Sequence, residues 1–315
     1  MNRKAAIISI KGIKLSPNER SLLRNEKPWG VILFKRNIKS FDQVKKLISN
    51  IRSCMKDRFY PIIIDEEGGT VSRLSNLFST KEYSQRFFGR LYEKNNQNGK
   101  LIYGYYLETI CNILKDIGVN INTIPVMDLL HAHTHNIIKD RSYSNNLKTI
   151  KNLGNFCTSF LYKKRIGSVV KHAPGHGCSN LDSHKKLPIV KKTSQKLYQE
   201  DFSAFHNVNS NFMMTAHILY QKIDPNYLAT NSKKVISKIL RKKLNFKGII
   251  ISDDISMKAL SNNLILNAEN ALNAGCNLVL YCRGEIKESR KLLKNLRFID
   301  KFTKKKTYQF YEFLR

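Results

Sequence analysis

The sequence predicts an α/β fold of the (β/α)8 TIM-type barrel, one domain spanning residues 1–315. Three observations lead there. The length of 315 residues suits one large barrel. Short, continuous, Ile/Val-rich runs recur along the chain and alternate with segments of helical period. Polar residues follow directly on five of these runs, as they do where barrel strands end at a common mouth.

The runs are Ala5–Ile10, Gly30–Phe34, Tyr60–Asp65, Val119–Asp128, Gly167–His172, Phe212–His217, Gly248–Asp253 and Cys276–Cys282. Continuous apolar character marks parallel strands covered on both faces, where alternation would mark a half-exposed sheet. Between them lie Phe41–Cys54, Lys100–Ile117, Leu147–Lys164, Ser194–Val208, Ser232–Leu244, Asn267–Ala274 and Ile286–Leu296, all with helical periodicity. Ser40 and Gln43 have capping-box spacing before the first, and Gly118 can end the second. A doubly wound open sheet is the alternative architecture. The strand-end residues are Asp65, Asp128, His172, His217 and Asp253. Unpaired burial of each would be costly, so a shared polar mouth accounts for their common register.

Composition narrows the function classes. No apolar run approaches the roughly 18 residues that span a bilayer. The Ala5–Ile10 run is too short for a secretion signal and reads as a first strand, so a cytoplasmic protein is expected. Six cysteines form no C-x-x-C pair, and reduced, buried thiols are expected. The net charge of +31 invites a nucleic-acid reading. The lysines, however, are scattered through every helix and accompany abundant Asn and Ile, as AT-rich codons favour. No specific nucleic-acid partner, no membrane association and a monomer are expected.

Several clusters could carry chemistry. Asp65-Glu66-Glu67-Gly68-Gly69 ends a strand with three carboxylates and a tight turn, and runs on to Arg73. Lys171-His172-Ala173-Pro174-Gly175-His176-Gly177 leads into Asp182-Ser183-His184, where the i, i+2 spacing lets the aspartate orient the imidazole. Ser252-Asp253-Asp254 closes a buried strand; Asp254 suits a capping role and Asp253 an inward, reactive one. Ala216-His217 and Asp140-Arg141-Ser142-Tyr143 complete the set, with Arg141 offering a planar fork. His131, His133 and His135 alternate, but no carboxylate or thiol is spaced to complete a site with them, so no metal is expected.

Taken together these residues resemble the β-N-acetylhexosaminidases of glycoside hydrolase family 3, the bacterial peptidoglycan-recycling type. The family's Asp-Gln-Glu-Gly-Gly-Arg-Val element is similar to Asp65–Val71. Its Lys-His-Phe-Pro-Gly-His-Gly element with the following Asp-Ser-His is similar to Lys171–His184. Its Ser-Asp-Asp-Leu-x-Met element is similar to Ser252–Met257. Leu33–Asn37, Pro125–Asp128, Arg141–Tyr143, Ala216–His217 and Ala274–Cys276 follow in matching order.

The resemblance implies a cofactor-independent, retaining hydrolase with Asp253 as nucleophile and His184, assisted by Asp182, as acid/base. It implies substrate contacts at Asp65, Arg73, Arg141, Lys171, His172 and His217, and a substrate bearing N-acetylglucosamine, such as a GlcNAc-1,6-anhydro-muropeptide. Glu66 stands where the family commonly has Gln, Thr70 where it has Arg, Ala173 where it has Phe and Asp140 where it commonly has Glu. Thr70 is expected to remove a cation from beside the sugar, and Glu66 to add an anion there. Phosphorolysis and a non-catalytic sugar- or polyanion-binding role stand as alternatives.

Overall fold

All eight apolar runs become strands of a closed barrel in the computed structural model, which describes residues 2–181, 183 and 186–315. The strands are β1 (Lys4–Ser9), β2 (Pro28–Leu33), β3 (Ile62–Ile64), β4 (Ile121–Asn122), β5 (Gly167–Ala173), β7 (Phe212–Thr215), β9 (Ile249–Asp254) and β10 (Leu278–Tyr281). A separate pair, β6 (Ile189–Val190) and β8 (Leu219–Tyr220), lies in the loops after β5 and β7. The order around the barrel is β1-β10-β9-β7-β5-β4-β3-β2, and every pairing is parallel.

The continuous runs are explained by burial on both faces. Every residue of β2, β3 and β5 is buried. Ile32 pairs with Ile63, and Ile63 with Ile121, so β-branched side chains meet across neighbouring strands.

Ten α-helices surround the barrel: α1 (Pro17–Glu26), α2 (Phe41–Met55), α3 (Gln85–Lys94), α4 (Asn96–Ile117), α5 (Asn136–Lys139), α6 (Leu147–Lys163), α7 (Ser194–Gln199), α8 (Leu264–Ala274), α9 (Ile286–Asn295) and α10 (Lys301–Leu314), counted among the described residues. Gly118 ends α4 at φ 89°, as its position predicts. At α2 the expected capping box is half formed. Ser40 accepts from Gln43 N, but the Gln43 side chain turns to Lys39 N, Ile13 O and Asn37 O.

Two expected helices differ in kind. The predicted Ser194–Val208 helix is α7 followed by a 3-10 turn over Asp201–Phe205. The predicted Ser232–Leu244 helix is a π-helix over Lys234–Lys243, and Leu244 N bonds Ile239 O, five residues back.

Helix α10 stops the lower, N-terminal end of the barrel. Phe310 packs edge-on against Phe212 at 5.2 Å, and Trp29 Nε1 donates to Thr307 Oγ1 at 2.9 Å. Arg3 donates to the Tyr311 hydroxyl at 2.7 Å and ion-pairs with Asp57, to which Tyr311 also donates at 2.7 Å.

At the upper end, α3 sets the loop that carries Arg141. Gln85 ties Arg141 O to Val126 N, and Arg86 donates to Tyr143 O at 3.0 Å. Gly89 makes this approach possible, because a Cβ there would lie 1.8 Å from Tyr143 O. Gly89→Ala should therefore lower stability by about 1–3 kcal/mol, the usual range for overpacking. Urea unfolding of the variant beside the wild type measures this, and an unchanged midpoint would refute the close-approach account.

Candidate active site

The strand ends converge on a pocket of about 290 Å³ at the C-terminal mouth of the barrel. Asp65, Arg73, Arg141, Lys171, His172 and Asp253 all line it, together with Phe34, Val71, Met214 and Met257.

Its polar wall is a buried ion network. Lys171, at the end of β5, is 2% exposed. Its ammonium donates to Asp65 at 2.6 Å and to Thr123 at 2.9 Å, and also pairs with Glu67. Arg141 grips Glu67 with two parallel bonds of 2.8 Å. Arg73 closes on the outer oxygen of Asp65 and lies over the Phe34 ring at 5.3 Å.

Burial alone would push both carboxyls up. For Asp65 the Lys171 and Arg73 charges overturn this and hold it well below the ordinary carboxylate range. For Glu67, Arg141 and Lys171 do the same more mildly. Three donors already engage Asp65: Lys171, Thr123 and Arg73. An ionised carboxylate has about four acceptor positions, so room remains for an incoming hydroxyl.

His172 is set by a residue behind it. Asp128 is fully buried and accepts from His172 Nδ1 at 2.7 Å and from the backbone N–H of His172 and His176 at 3.2 and 2.6 Å. Burial opposes the ionisation of Asp128, but the His172 ring outweighs it and keeps the carboxyl below its usual range. Arg141 Nη2 approaches His172 Nε2 at 3.2 Å. A guanidinium only donates, so in the neutral imidazole Nε2 accepts and Nδ1–H faces Asp128.

At the end of β9 the two aspartates divide their roles. Asp254 accepts from Ser256 N at 3.0 Å, from Ser256 Oγ and from Cys282 N at 3.3 Å, shaping the turn. Burial raises its carboxyl. Asp253 is half-buried, lines the pocket and accepts from Asp254 N at 2.7 Å.

Some expectations need correction. Asp128 and His217 do not open into the mouth. His217 lies beneath the pocket with both ring nitrogens engaged, one by Thr230 at 2.7 Å and the other near Asp254 O at 3.1 Å. It is not among the residues lining the pocket, and it braces the end of β9. Glu66 adds no anion to the pocket. It is 1% exposed and turns into its own loop, accepting from Arg73 N at 2.6 Å, Leu74 N at 2.9 Å, Ser72 and Thr80. Thr70 is exposed and outside the pocket lining, and the cations beside Asp65 are Lys171 and Arg73.

The histidine loop also differs. Glu200 and Asp201 reach His131 across about 70 residues of sequence, so carboxylates do stand beside it. Lys192 holds that cluster, 2.7 Å from Glu200 and 3.4 Å from Asp201 and His131, so an ammonium already supplies the positive charge.

Asp182 and His184 lie outside the described residues. Between them Ser183 is buried and lines the pocket. His176, whose Pro and Gly neighbours mark a loop in the sequence, also lines the pocket. Glu67 was read only as one of three acids, yet it is the hub of the ion network. Its partners, Arg141 and Lys171, are remote in sequence.

A closed parallel barrel with ionised, cation-paired carboxylates at its C-terminal mouth is the plan of a (β/α)8 enzyme. Comparison with known proteins narrows the class. Residues 2–306 match the glycosyl hydrolase family 3 N-terminal domain. A β-hexosaminidase of Haemophilus influenzae is 33% identical over 282 residues, covering 88% of this chain and 78% of that protein. Native NagZ from Neisseria gonorrhoeae superposes with a TM-score of 0.88 at 25% identity, covering 98% of this chain and 90% of that one. A family 3 β-N-acetylglucosaminidase from Paenibacillus superposes with a TM-score of 0.86 at 25% identity, and there the chain covers 60% of a longer protein. The chain belongs to glycosyl hydrolase family 3. The β-N-acetylhexosaminidase class expected from the sequence is the class these relatives carry.

The pocket carries a pH signature. Burial drives His176 down to about 4, whereas an unfolded histidine titrates near 6.5. Between these values the unfolded chain binds the extra proton, so stability falls as pH drops through that window. His176→Gln lacks this group. Its stability should fall less than the wild type's between pH 7 and pH 4, by up to about 3 kcal/mol. Urea unfolding at the two pH values tests this, and parallel losses in both proteins would contradict it.

Proposed function

We propose that the chain is a retaining β-N-acetylglucosaminidase that removes a non-reducing terminal N-acetylglucosamine through a covalent intermediate on Asp253. The observation that carries the reading is the placement of Asp253 in one pocket with the ion-paired Asp65 and with Arg141, Lys171 and His172. A carboxylate that must attack an anomeric carbon has to be exposed to the sugar yet fixed in place. Asp253 is half-buried and held by its neighbour's N–H. The other four residues are suited to grip hydroxyls: Asp65 as an acceptor and Arg141 as a donor from Nη1, while Lys171 and His172 can exchange their present bonds to Thr123 and Arg141 for bonds to a sugar hydroxyl.

In this proposal Asp253 attacks as His184 protonates the leaving oxygen, and His184 then takes a proton from the water that hydrolyses the glycosyl-enzyme. Asp182 favours the protonated imidazole. An imidazole near its ordinary range can play both parts around neutral pH. The proposed substrate is a GlcNAc-1,6-anhydro-muropeptide met in the cytoplasm. Six free cysteines, five of them buried, accord with a reducing compartment.

A chromogenic β-N-acetylglucosaminide tests the proposal. Asp253→Ala should lose at least about a thousandfold in kcat, as removal of a nucleophile does. A 5-fluoro analogue of the sugar should label wild-type Asp253, detectable as a mass increase on its peptide. Wild-type turnover in Asp253→Ala, or sugar 1-phosphate as the product in phosphate buffer, would overturn the hydrolytic reading.

A further inference from the structure

Ser183 stands between two parts of the site. Its hydroxyl lies 3.2 Å from His176 Nε2. Its carbonyl accepts from Ala259 N at 3.3 Å, in the segment that follows β9 and Asp253. One residue thus ties the loop after β5 to the segment that follows the proposed nucleophile's strand.

His176 is a firm anchor for this tie. Its backbone N–H donates to the buried Asp128 at 2.6 Å, and its ring meets that of His172 edge-on at 5.8 Å. The peptides on either side are also held. Tyr220 donates to Gly175 O at 2.6 Å, and Thr134 to Gly177 O at 2.6 Å. The ring is 3% exposed, and burial keeps it neutral above about pH 4, able to share a proton with a hydroxyl. Its Nδ1 finds no partner among the described residues. A buried nitrogen without a partner is a cost that a side chain kept for packing alone would not carry.

We propose that His176 is a positioning residue for the acid/base step: its hydrogen bond fixes Ser183, which Ala259 grips from the β9 side. This rests on the reading of Asp182 and His184 as the acid/base pair, since Ser183 is their common neighbour in sequence. Proton transfer demands a heavy-atom approach of about 2.6–3.2 Å, so a small displacement of the donor is costly. Attack on the anomeric carbon by Asp253 carries no such dependence when the leaving group departs unaided. Loss of the tie should therefore be felt in proportion to the need for an acid.

Kinetics with two substrates separate the cases. One is the 2,4-dinitrophenyl β-N-acetylglucosaminide, whose leaving group needs no proton. The other is the 4-methoxyphenyl glycoside, which needs one. His176→Ala and Ser183→Ala should each lose on the order of 10- to 100-fold in kcat/KM on the second substrate and under about threefold on the first. The double variant should be no worse than either single one, because both remove the same bond. His176→Gln, whose amide nitrogen reaches the Nε2 position, should recover most of the loss, and His176→Asn should not. Circular dichroism melts confirm that each variant is folded, and Ser183→Ala with His176→Gln carry the test if His176→Ala is not.

His184→Ala is the reference. If it loses equally on both substrates, the acid/base reading falls and this inference falls with it. If it shows the leaving-group dependence but His176→Ala and Ser183→Ala do not, or if their losses add, the positioning role alone is overturned.

Discussion

Lys171 is a full cation in a site where almost no water reaches it. Removing an ammonium from water costs several kcal/mol, and the same holds for each carboxylate beside it. The cost is tolerated because Asp65 and Glu67 meet Lys171 directly while Arg73 and Arg141 meet them from the other side. Three cations and two carboxylates thus form one wall of the pocket that Asp253 shares. Much of the upper barrel serves this arrangement. Helix α3 holds the Arg141 loop, Glu66 folds the turn that returns Arg73, and Thr123 completes the ammonium's shell. Each of the two carboxylates is met by two cations, so removing either carboxylate takes a partner from two cations at once.

Behind this layer lies a second one outside the pocket lining. Asp128 fixes the tautomer of His172 and the backbone at His176 with a single carboxylate. His217 links Thr230 to the end of β9. The polar strand ends therefore work at two depths. Asp65, His172 and Asp253 face the cavity, while Asp128 and His217 hold them there. The loop after β5 is gripped from three directions: by Thr134, by the small sheet near Tyr220 and by Ala259.

What could be read beforehand follows from range. The barrel strands were legible because double-sided burial leaves an unbroken Ile/Val run, a purely local signature. The family elements and the pocket residues on β3, β5 and β9 were legible for the same reason. Helix α1 went unread although Ser16 and Glu19 form both arms of a capping box, so a local signal was present. Helix α10 hid in a lysine-rich stretch whose apolar face is evident only against Phe212. The π-helix was illegible because a ladder shifted by one residue leaves the apolar pattern almost unchanged. Within the site, the errors concerned direction. Strand β4 is two residues long, so alternation cannot be carried forward to Asp128. Glu66 and Glu67 are adjacent acids with opposite fates, decided by Arg141, 74 positions after Glu67. Likewise His131 meets Asp201 across 70 positions, beyond any spacing rule.

The clasp at the lower end of the barrel bears on how the chain comes to fold. Arg3 and the Tyr311 hydroxyl are 308 positions apart and meet at 2.7 Å, with Asp57 between them. During synthesis, β1 and β2 leave the ribosome long before α10 exists. Until then the Arg3 guanidinium and the indole of Trp29 lack their α10 partners, and the floor of the barrel is open to solvent. The early strands must wait as an incomplete sheet with unpaired edges, the state most exposed to wrong association. Ring closure is thus a late event on the ribosome's timescale, and a chain stalled before residue 301 lacks the helix that covers the barrel floor.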